Sequence, residues 1–163
     1  MNIPSRYNDL RQALPEEVNF GCGGIKLFSS PEIEGQQLGY SVAANGSSLC
    51  TGAEGAWQPS WLVIGCESAL GDPIFIDTDD DALPVFTAMH GEGAWEPNPI
   101  ATSAEAFANC LKEFARMAAG RANPGEHNAN PVGDDDRKRF LNRIAELNRT
   151  ASAPEFWDVM LEF

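Results

Sequence analysis

The densest group of side chains able to do chemistry is a run of carboxylates, Asp77-Thr78-Asp79-Asp80-Asp81. Alternating aspartates open the calcium-binding loop of an EF-hand, where they supply oxygen ligands. The rest of that loop does not match, because Ala82 stands where its sharp turn needs glycine and Ala88 where a bidentate glutamate belongs. We therefore interpret the run as a solvated turn between two strands. The sequence predicts no metal ion and no other cofactor.

The cysteines and histidines are too scattered to suggest a zinc site. The four cysteines form no C-x-x-C pair, and His90 lies far from His127. Structural zinc requires thiolates or imidazoles at short spacing. Scattered cysteines of this kind are expected to be small core residues in a reducing compartment. The segment 21–24, Gly-Cys-Gly-Gly, lacks the G-K-[S/T] ending of a phosphate-binding loop, and it predicts a tight turn instead.

Acid–base catalysis has one candidate, His90 paired with Glu92 or Asp77. No motif for an activated serine or cysteine nucleophile accompanies it. Carboxylates are so abundant that any other catalytic pair would be an arbitrary choice. We predict that the protein is not an enzyme and assign no catalytic residue. A deep pocket with convergent polar groups around His90 would overturn that prediction.

The negative charge is concentrated in the middle of the chain. The net charge is −13, yet no Lys or Arg occurs between Lys26 and Lys112, an interval that contains twelve acidic residues. Most of these carboxylates must lie on the surface, where their field repels phosphate backbones and anionic headgroups and attracts basic protein surfaces. The expected partner is therefore a protein, with no nucleic acid and no membrane bound directly. The alternative is that the charge serves solubility alone.

Size and hydropathy favour a single domain with a short extension in the cytoplasm. The chain has 163 residues, of which 43% are apolar. No apolar run approaches the roughly 20 residues needed to cross a bilayer. The first eleven residues are polar and lack the apolar centre of a signal peptide.

The apolar pattern predicts strands first and helices later. Short apolar runs bounded by turn residues predict strands over 25–28, 37–44, 61–64, 73–77 and 84–89, the last three as an antiparallel meander. The expected fold class is α+β, with a central, largely antiparallel sheet and flanking helices.

A helix is predicted from a capping box at Thr102 and Glu105 to Gly120, with one apolar stripe. A second helix is predicted from about residue 134, and a short last helix is predicted to be capped by Ser152 and Glu155. The predicted organisation is a domain over 1–120, a polar linker over 121–133 and a helical extension over 134–163.

Two loop tryptophans and four carboxylates are the candidate partner-binding residues. A half-exposed aromatic beside an acidic rim is a usual interface anchor, whereas Trp61, inside an apolar run, is expected in the core. A loop tryptophan can equally cover the edge of a core. The candidates are Trp57, Asp79, Asp80, Asp81, Glu92 and Trp95.

One arrangement within residues 57–111 is more specific than its parts. Its segments are Trp61-Leu62-Val63-Ile64-Gly65, Gly71-Asp72-Pro73-Ile74-Phe75-Ile76-Asp77, Pro84-Val85-Phe86, His90-Gly91, Trp95, and Ala101-Thr102-Ser103 before a helix with Phe107. This arrangement resembles the SUKH superfamily, which includes fungal Smi/Knr-type regulators of cell-wall synthesis. With Leu14-Pro15 and Gly23–Leu27 the resemblance covers about residues 14–119.

The resemblance implies an α+β fold, no catalytic residues, and a structural role for the Gly71-Asp72-Pro73 turn. Many bacterial members of the family are immunity proteins that bind and neutralise toxins, often nucleases. We therefore expect an immunity protein whose acidic surface covers the basic groove of a toxin. The alternative is a regulatory or scaffold module with an endogenous protein partner.

Overall fold

The computed structural model of the chain describes residues 3–149 and 154–163. Within them, short apolar runs separated by turns form one sheet of six antiparallel strands that follow each other in sequence order. The strands are β1 (Glu17–Phe20), β2 (Gly23–Leu27), β3 (Trp61–Glu67), β4 (Pro73–Asp77), β5 (Val85–Thr87) and β6 (Asn98–Ala101). The predicted α+β class and antiparallel meander are confirmed, although the sequence predicts neither β1 nor β6.

Six helices accompany the sheet within the described residues. They are α1 (Ser5–Gln12), α2 (Ser30–Ile33), α3 (Ala104–Ala118), α4 (Pro124–Ala129), α5 (Asp134–Asn148) and α6 (Pro154–Val159). Helix α3 buries its apolar stripe, including Phe107, Leu111 and Phe114, and the ring of Phe114 lies 5.7 Å from that of Phe20 on β1. The long helix predicted from periodicity is thus the one that covers the sheet.

The start of α3 differs from the prediction by one residue. The Ser103 hydroxyl, not that of Thr102, accepts the Ala106 N–H at 3.0 Å and caps the helix. Thr102 is engaged elsewhere, because its N–H donates to the side-chain oxygen of Asn148 at 3.0 Å and its hydroxyl to the Asn148 carbonyl at 3.3 Å. The predicted capping box of Thr102 and Glu105 is therefore wrong.

Both faces of the sheet are covered. On β4, Ile74 and Ile76 point to one face and Phe75 to the other, and all three are fully buried. The face of Phe75 is covered by the long loop between residues 38 and 60, which contributes Trp57 to its core. A domain of this size thus builds two apolar layers around one sheet.

The strand predicted over 37–44 is wrong, and a buried side chain explains the difference. Residues Gly35–Gln37 form a single 3-10 turn, followed by an irregular loop. The Gln37 amide donates to the Val63 carbonyl at 3.0 Å and accepts the Val63 N–H at 3.1 Å. Strand β2 has already ended at this level, so Gln37 satisfies the backbone groups of β3 that a strand would otherwise pair.

The predicted helical extension packs on the domain. Trp157 on α6 is fully buried among Phe107, Phe114 and Phe140, and its indole N–H donates to the Ile100 carbonyl on β6 at 3.0 Å. That bond also occupies a carbonyl at the outer edge of the sheet. The extension and the sheet therefore share one core.

The predicted linker over 121–133 is also ordered. It contains α4, whose first turn is capped by Asn123 accepting the Glu126 N–H at 3.0 Å. The Arg121 guanidinium donates to the Asn130 carbonyl at 2.7 Å, and the Arg121 carbonyl accepts the Gly21 N–H at 2.8 Å. These bonds tie the segment to the turn between β1 and β2.

Two further points concern the helices. The predicted cap by Ser152 lies outside the described residues. Among the residues that are described, no helix has the length and apolar character required to pass through a bilayer.

Candidate functional site

The aspartates of the acidic run lie in the turn between β4 and β5. Asp79, Asp80 and Asp81 are all exposed. Asp77 accepts the Asp79 N–H at 3.1 Å, and Asp80 accepts the Ala82 N–H at 2.8 Å. Carboxylates that accept the backbone N–H two residues further along the chain are typical of a tight turn. The interpretation of this run as a solvated turn is confirmed.

Glu92 does not lie with those aspartates. Strand β5 runs back along β4, so the loop after β5, which carries Glu92, emerges at the opposite end of the sheet. At about 3.3 Å per residue, the five residues of β4 separate the two ends by roughly 16 Å. The structure therefore divides the predicted carboxylates into two groups, and each end of the sheet must be considered by itself.

The end that carries Glu92 contains a cleft of about 640 Å³. Three carboxylates line it, together with one threonine, one methionine and one asparagine. We call this the acidic cleft, defined by Asp72, Thr87, Met89, Glu92, Glu96 and Asn98. The Met89 side chain is 62% exposed, so an apolar surface adjoins the carboxylates. Such a combination is suited to a ligand with a positive charge and an apolar stem.

The turn that places Asp72 in the cleft is held by the buried side chain of Glu67. Its carboxylate accepts backbone N–H groups from Ala69 at 3.0 Å, Leu70 at 2.6 Å, Gly71 at 2.7 Å and, at 3.3 Å, Asp72. These bonds compensate for burying a charged group that has lost its water. The cleft wall thus rests on a rigid turn, which supports the structural role implied for this segment.

His90 pairs with Asp72 and not with Glu92 or Asp77. The His90 Nδ1 lies 2.6 Å from Asp72 Oδ1, and the His90 backbone N–H donates to the same oxygen at 3.1 Å. This arrangement orients the ring and leaves Nε2 able to exchange a proton. Within the described chain, no hydroxyl or thiol is hydrogen-bonded to Nε2. His90 itself is not among the residues that line the acidic cleft, and among the described residues no nucleophile is hydrogen-bonded to the pair.

Trp57 is a core residue, which corrects its prediction as a half-exposed anchor. It is 1% exposed and its indole N–H donates to the Trp61 carbonyl at 3.0 Å. Its ring lies 4.8 Å from Phe75 and 5.0 Å from Tyr40. A partner could reach Trp57 only by opening this cluster. The alternative, a loop tryptophan that covers the core, is what the structure contains.

Trp95 is half-buried at the border of the same cluster. Its ring packs edge-on against Trp57 at 5.2 Å and lies 5.3 Å from Tyr40. Its backbone N–H donates to the Gly55 carbonyl at 2.8 Å, which joins the loop after β5 to the long loop. Trp95 therefore fixes the loop that carries Glu92 and Glu96. In the same cluster, burial raises the pKa of the Tyr40 hydroxyl, and the nearby Cys66 and Asp72 add to the effect.

Most arginines of the helices pair with acids that lie outside the two acidic ends. Arg137 pairs with Asp158 at 2.6 Å and with Glu162 at 2.9 Å, both near its own helix. Arg6 is the exception nearest to the sheet, because it pairs with Glu105 at 2.5 Å and donates to the Asp81 carbonyl at 2.8 Å. The ion pairs of the described residues include no Lys or Arg partner for the three acids of the acidic cleft. In that part of the chain there is also no group of three or more His, Cys, Asp or Glu side chains placed to hold a metal.

The sequence did not indicate Thr87, Met89, Glu96 or Asn98 as site residues. The one usable signal was the alternation along β5, which predicts that Thr87 and Val85 share a face. Their assembly with Asp72 depends on the pairing of β4, β5 and β6. Comparison of the chain with family models, with curated proteins and with solved structures gave no match in any of the three.

Proposed function

We propose that this protein binds a basic protein partner through the acidic cleft and acts as an immunity protein that neutralises a nuclease-type toxin. The observation that carries the proposal is the cleft itself, in which three carboxylates that have no Lys or Arg partner among the described residues adjoin an exposed methionine. At this end of the sheet, the negative charge adjoins a concave, partly apolar surface. The turn with Asp79, Asp80 and Asp81 is exposed, and the Asp80 carboxylate accepts a backbone N–H of the same turn.

Electrostatics favours a protein partner over nucleic acid or lipid. The interval 27–111 carries twelve acidic residues and no Lys or Arg, and the arginines of α5 are paired near that helix. A negative field of this kind accelerates encounter with a basic surface and repels phosphate. Binding should therefore weaken as salt screens the charges, over a Debye length of about 8 Å at physiological ionic strength.

The toxin-neutralising role rests on the resemblance to the SUKH superfamily. A nuclease must present a basic groove to its substrate, and an acidic protein that covers this groove excludes the substrate. The carboxylates of the acidic cleft would then lie where the phosphates of the substrate otherwise bind in the groove of the toxin. The alternative is a regulatory or scaffold module that uses the same cleft for an endogenous partner.

The proposal is tested by affinity capture of the tagged protein from its own cell lysate at low and high salt. We expect a large partner with a basic, toxin-like C-terminal region, released by high salt, and we expect cells without this protein to become sensitive to that toxin. The gene for such a toxin should lie beside the gene for this protein. Capture of housekeeping or envelope-synthesis proteins, with no toxin sensitivity, would favour the scaffold.

A pair of variants with equal change in charge provides the control. The double variant Glu92→Gln with Glu96→Gln should reduce capture, whereas Asp79→Asn with Asp80→Asn should leave capture close to that of the wild type. Equal reduction by both pairs would show that overall charge, and not the acidic cleft, attracts the partner.

A further inference from the structure

Strand β1 forms one outer edge of the sheet, and its hydrogen-bond register shows which of its backbone groups face outward. The Leu27 N–H donates to the Glu16 carbonyl at 2.7 Å, so these two residues form a hydrogen-bonded pair that continues the β1–β2 ladder. In an antiparallel ladder such pairs alternate with pairs that exchange no hydrogen bond. The backbone of Val18 therefore also bonds β2, whereas the N–H and C=O groups of Glu17 and Asn19 point away from the sheet.

The outward backbone groups of Glu17 and Asn19 have no hydrogen-bond partner among the described residues. Both residues are exposed, and the described elements that contact β1 most are β2 on its other side and α3 on one face. The next outward N–H, that of Gly21, donates to the Arg121 carbonyl at 2.8 Å, which ends the unpaired stretch. We call residues 15–19 the open edge.

The opposite edge of the sheet, formed by β6, is blocked instead. Pro99 has no N–H to offer, and the Ile100 carbonyl accepts the Trp157 indole N–H at 3.0 Å. Just beyond the strand, the Thr102 N–H donates to the Asn148 side chain at 3.0 Å. Proteins commonly block their sheet edges, because an unpaired edge is a template for another strand. Since the open edge lacks such protection, it is the place at which a further strand can extend this sheet.

The charges at the open edge indicate which kind of strand fits. Glu16 and Glu17 are exposed and form no ion pair among the described residues. The register places one basic residue, Lys26 on β2, across from Glu17. The edge therefore keeps a net negative charge, in a chain whose own net charge is −13. A basic residue opposite Glu17 gains from a cross-strand pair, whereas an acidic residue there is repelled.

A second copy of this chain fits the open edge poorly. Antiparallel pairing of two copies through all their outward groups places Val18 on the two-fold axis and Glu17 of each copy opposite Asn19 of the other. The two Glu17 side chains then lie diagonally on the same face, roughly 7–8 Å apart. Each copy also carries a net charge of −13, so electrostatics opposes this pairing and favours a partner of opposite charge.

We propose that the open edge binds an extended segment of a protein partner, which adds a seventh strand to the six-stranded sheet, antiparallel to β1. The segment exchanges backbone hydrogen bonds with Glu17 and Asn19 and carries basic side chains opposite them. Its β-branched side chains lie opposite Val18, on the face that α3 covers. In this mode of recognition the main-chain bonds provide affinity and the alternating side chains provide specificity. The inference goes beyond the proposed function, since it concerns a second surface and requires neither the acidic cleft nor a toxin.

The probe is the peptide acetyl-Lys-Thr-Lys-Val-Lys-Thr-Lys-amide, titrated into the ¹⁵N-labelled full chain and followed by NMR. Four backbone hydrogen bonds, each worth a net factor of about five in affinity, predict a dissociation constant on the order of 1 mM. We expect saturable shifts at the amides of Glu17 and Asn19, which the peptide should also protect from hydrogen exchange. In the free chain these two amides should exchange about 100-fold or more faster than that of Val18, because only the Val18 amide is bonded within the sheet.

Two N-methylated forms of the probe are matched controls with the same charge and the same side chains. Methyl groups on its third and fifth residues, both lysines, remove the N–H groups that face β1 in the proposed register and should weaken binding by about tenfold or more. Methyl groups on its fourth and sixth residues lie on the far side of the added strand and should change the affinity by about twofold or less. Equal affinity for the two forms would overturn the edge pairing, because charge alone would then attract the peptide.

A pair of charge-reversal variants tests where the basic side chains lie. Glu17→Lys should weaken binding of the unmethylated probe by about fivefold, because a like-charge pair replaces an opposite-charge pair across the strands. Asp79→Lys makes the same change in charge on the turn after β4, three strands or roughly 14 Å from β1, and should leave the affinity within about twofold. Equal weakening by both variants would contradict the proposed register.

The outcomes separate this inference from the proposed function. Shifts confined to the acidic cleft, or no saturable shift up to about 20 mM peptide, would overturn the open edge as a binding site. Equal protection of the Glu17, Val18 and Asn19 amides in the free chain would also overturn it. Self-association that protects the two outward amides as the protein concentration rises would overturn the choice of a protein partner in favour of a second copy. Capture and toxin sensitivity test the proposed function and do not depend on any of these results.

Discussion

Replacing Trp157 by alanine should reveal whether the C-terminal helices belong to the domain. The side chain is fully buried against Phe107, Phe114 and Phe140, with ring centroids 6.1, 5.8 and 6.5 Å away. Truncation of a buried tryptophan to alanine typically costs about 3–5 kcal/mol, because transfer and cavity effects add. The Ile100 carbonyl would also lose the indole N–H, at about another 1 kcal/mol. We therefore expect a loss of about 4–6 kcal/mol.

The assay is urea unfolding followed by circular dichroism at 222 nm, which does not depend on the removed fluorophore. With a slope of roughly 2 kcal/mol per molar urea, the midpoint should fall by about 2–3 M. Since the stability of a single domain is only about 5–15 kcal/mol, Trp157→Phe provides a milder variant, with an expected loss of about 1–2 kcal/mol.

Val159→Ala on the same helix is the matched control. Val159 is 51% exposed, so its truncation should cost about 0.5 kcal/mol or less. A Trp157→Ala variant within about 1 kcal/mol of the wild type would refute the reasoning, because it would mean that α6 does not contribute to the core in solution.

Two other measurements test groups beneath the site and inside the core. Glu67→Gln should destabilise the chain by about 1–3 kcal/mol, because an amide N–H₂ would face one of the backbone N–H groups whose hydrogen bonds the carboxylate now accepts. The measurement is the urea midpoint of this variant compared with that of the exposed control Glu54→Gln. Equal midpoints for the two variants would contradict the prediction. Burial raises the pKa of the Cys110 thiol from 9.0 to about 11, so the unfolded chain releases this proton at a lower pH than the folded chain does. The free energy of unfolding should therefore fall as pH rises from 9 to 11, by about 2 kcal/mol near pH 10.5. A Cys110→Ala variant should lose that part of the pH dependence, and an unchanged slope would show that Cys110 does not cause it.

The sequence predicted the elements whose signal is local. Strands β3 and β4 are apolar runs closed by turn residues, and α3 carries a stripe at helical spacing, so pattern alone identifies them. Strands β1 and β6 are four residues each, and the buried positions of β1, Val18 and Phe20, are too few to form a pattern. They are strands because β2 and β5 offer free edges to pair with.

Gln37 shows a second limit of local patterns. The segment 37–44 alternates in a way that resembles a strand, yet its glutamine bonds Val63 through the side chain and the backbone turns away. The choice between a strand and this turn depends on where β2 ends relative to β3, which no local pattern records. The burial of Trp57 is also beyond local patterns, because it depends on contact with Phe75, which lies on strand β4.

For the site, the sequence by itself determined that the central part of the chain is acidic and contains no Lys or Arg between Lys26 and Lys112. Charge is a property of composition, so it needs no fold. Only the tertiary structure decided which carboxylates act together. An antiparallel sheet returns each strand to the end where its neighbour began, which separates Glu92 from Asp79 and joins it to Asp72 and Thr87. Residues close in sequence are thereby placed apart, and the cleft exists only once the strands have paired.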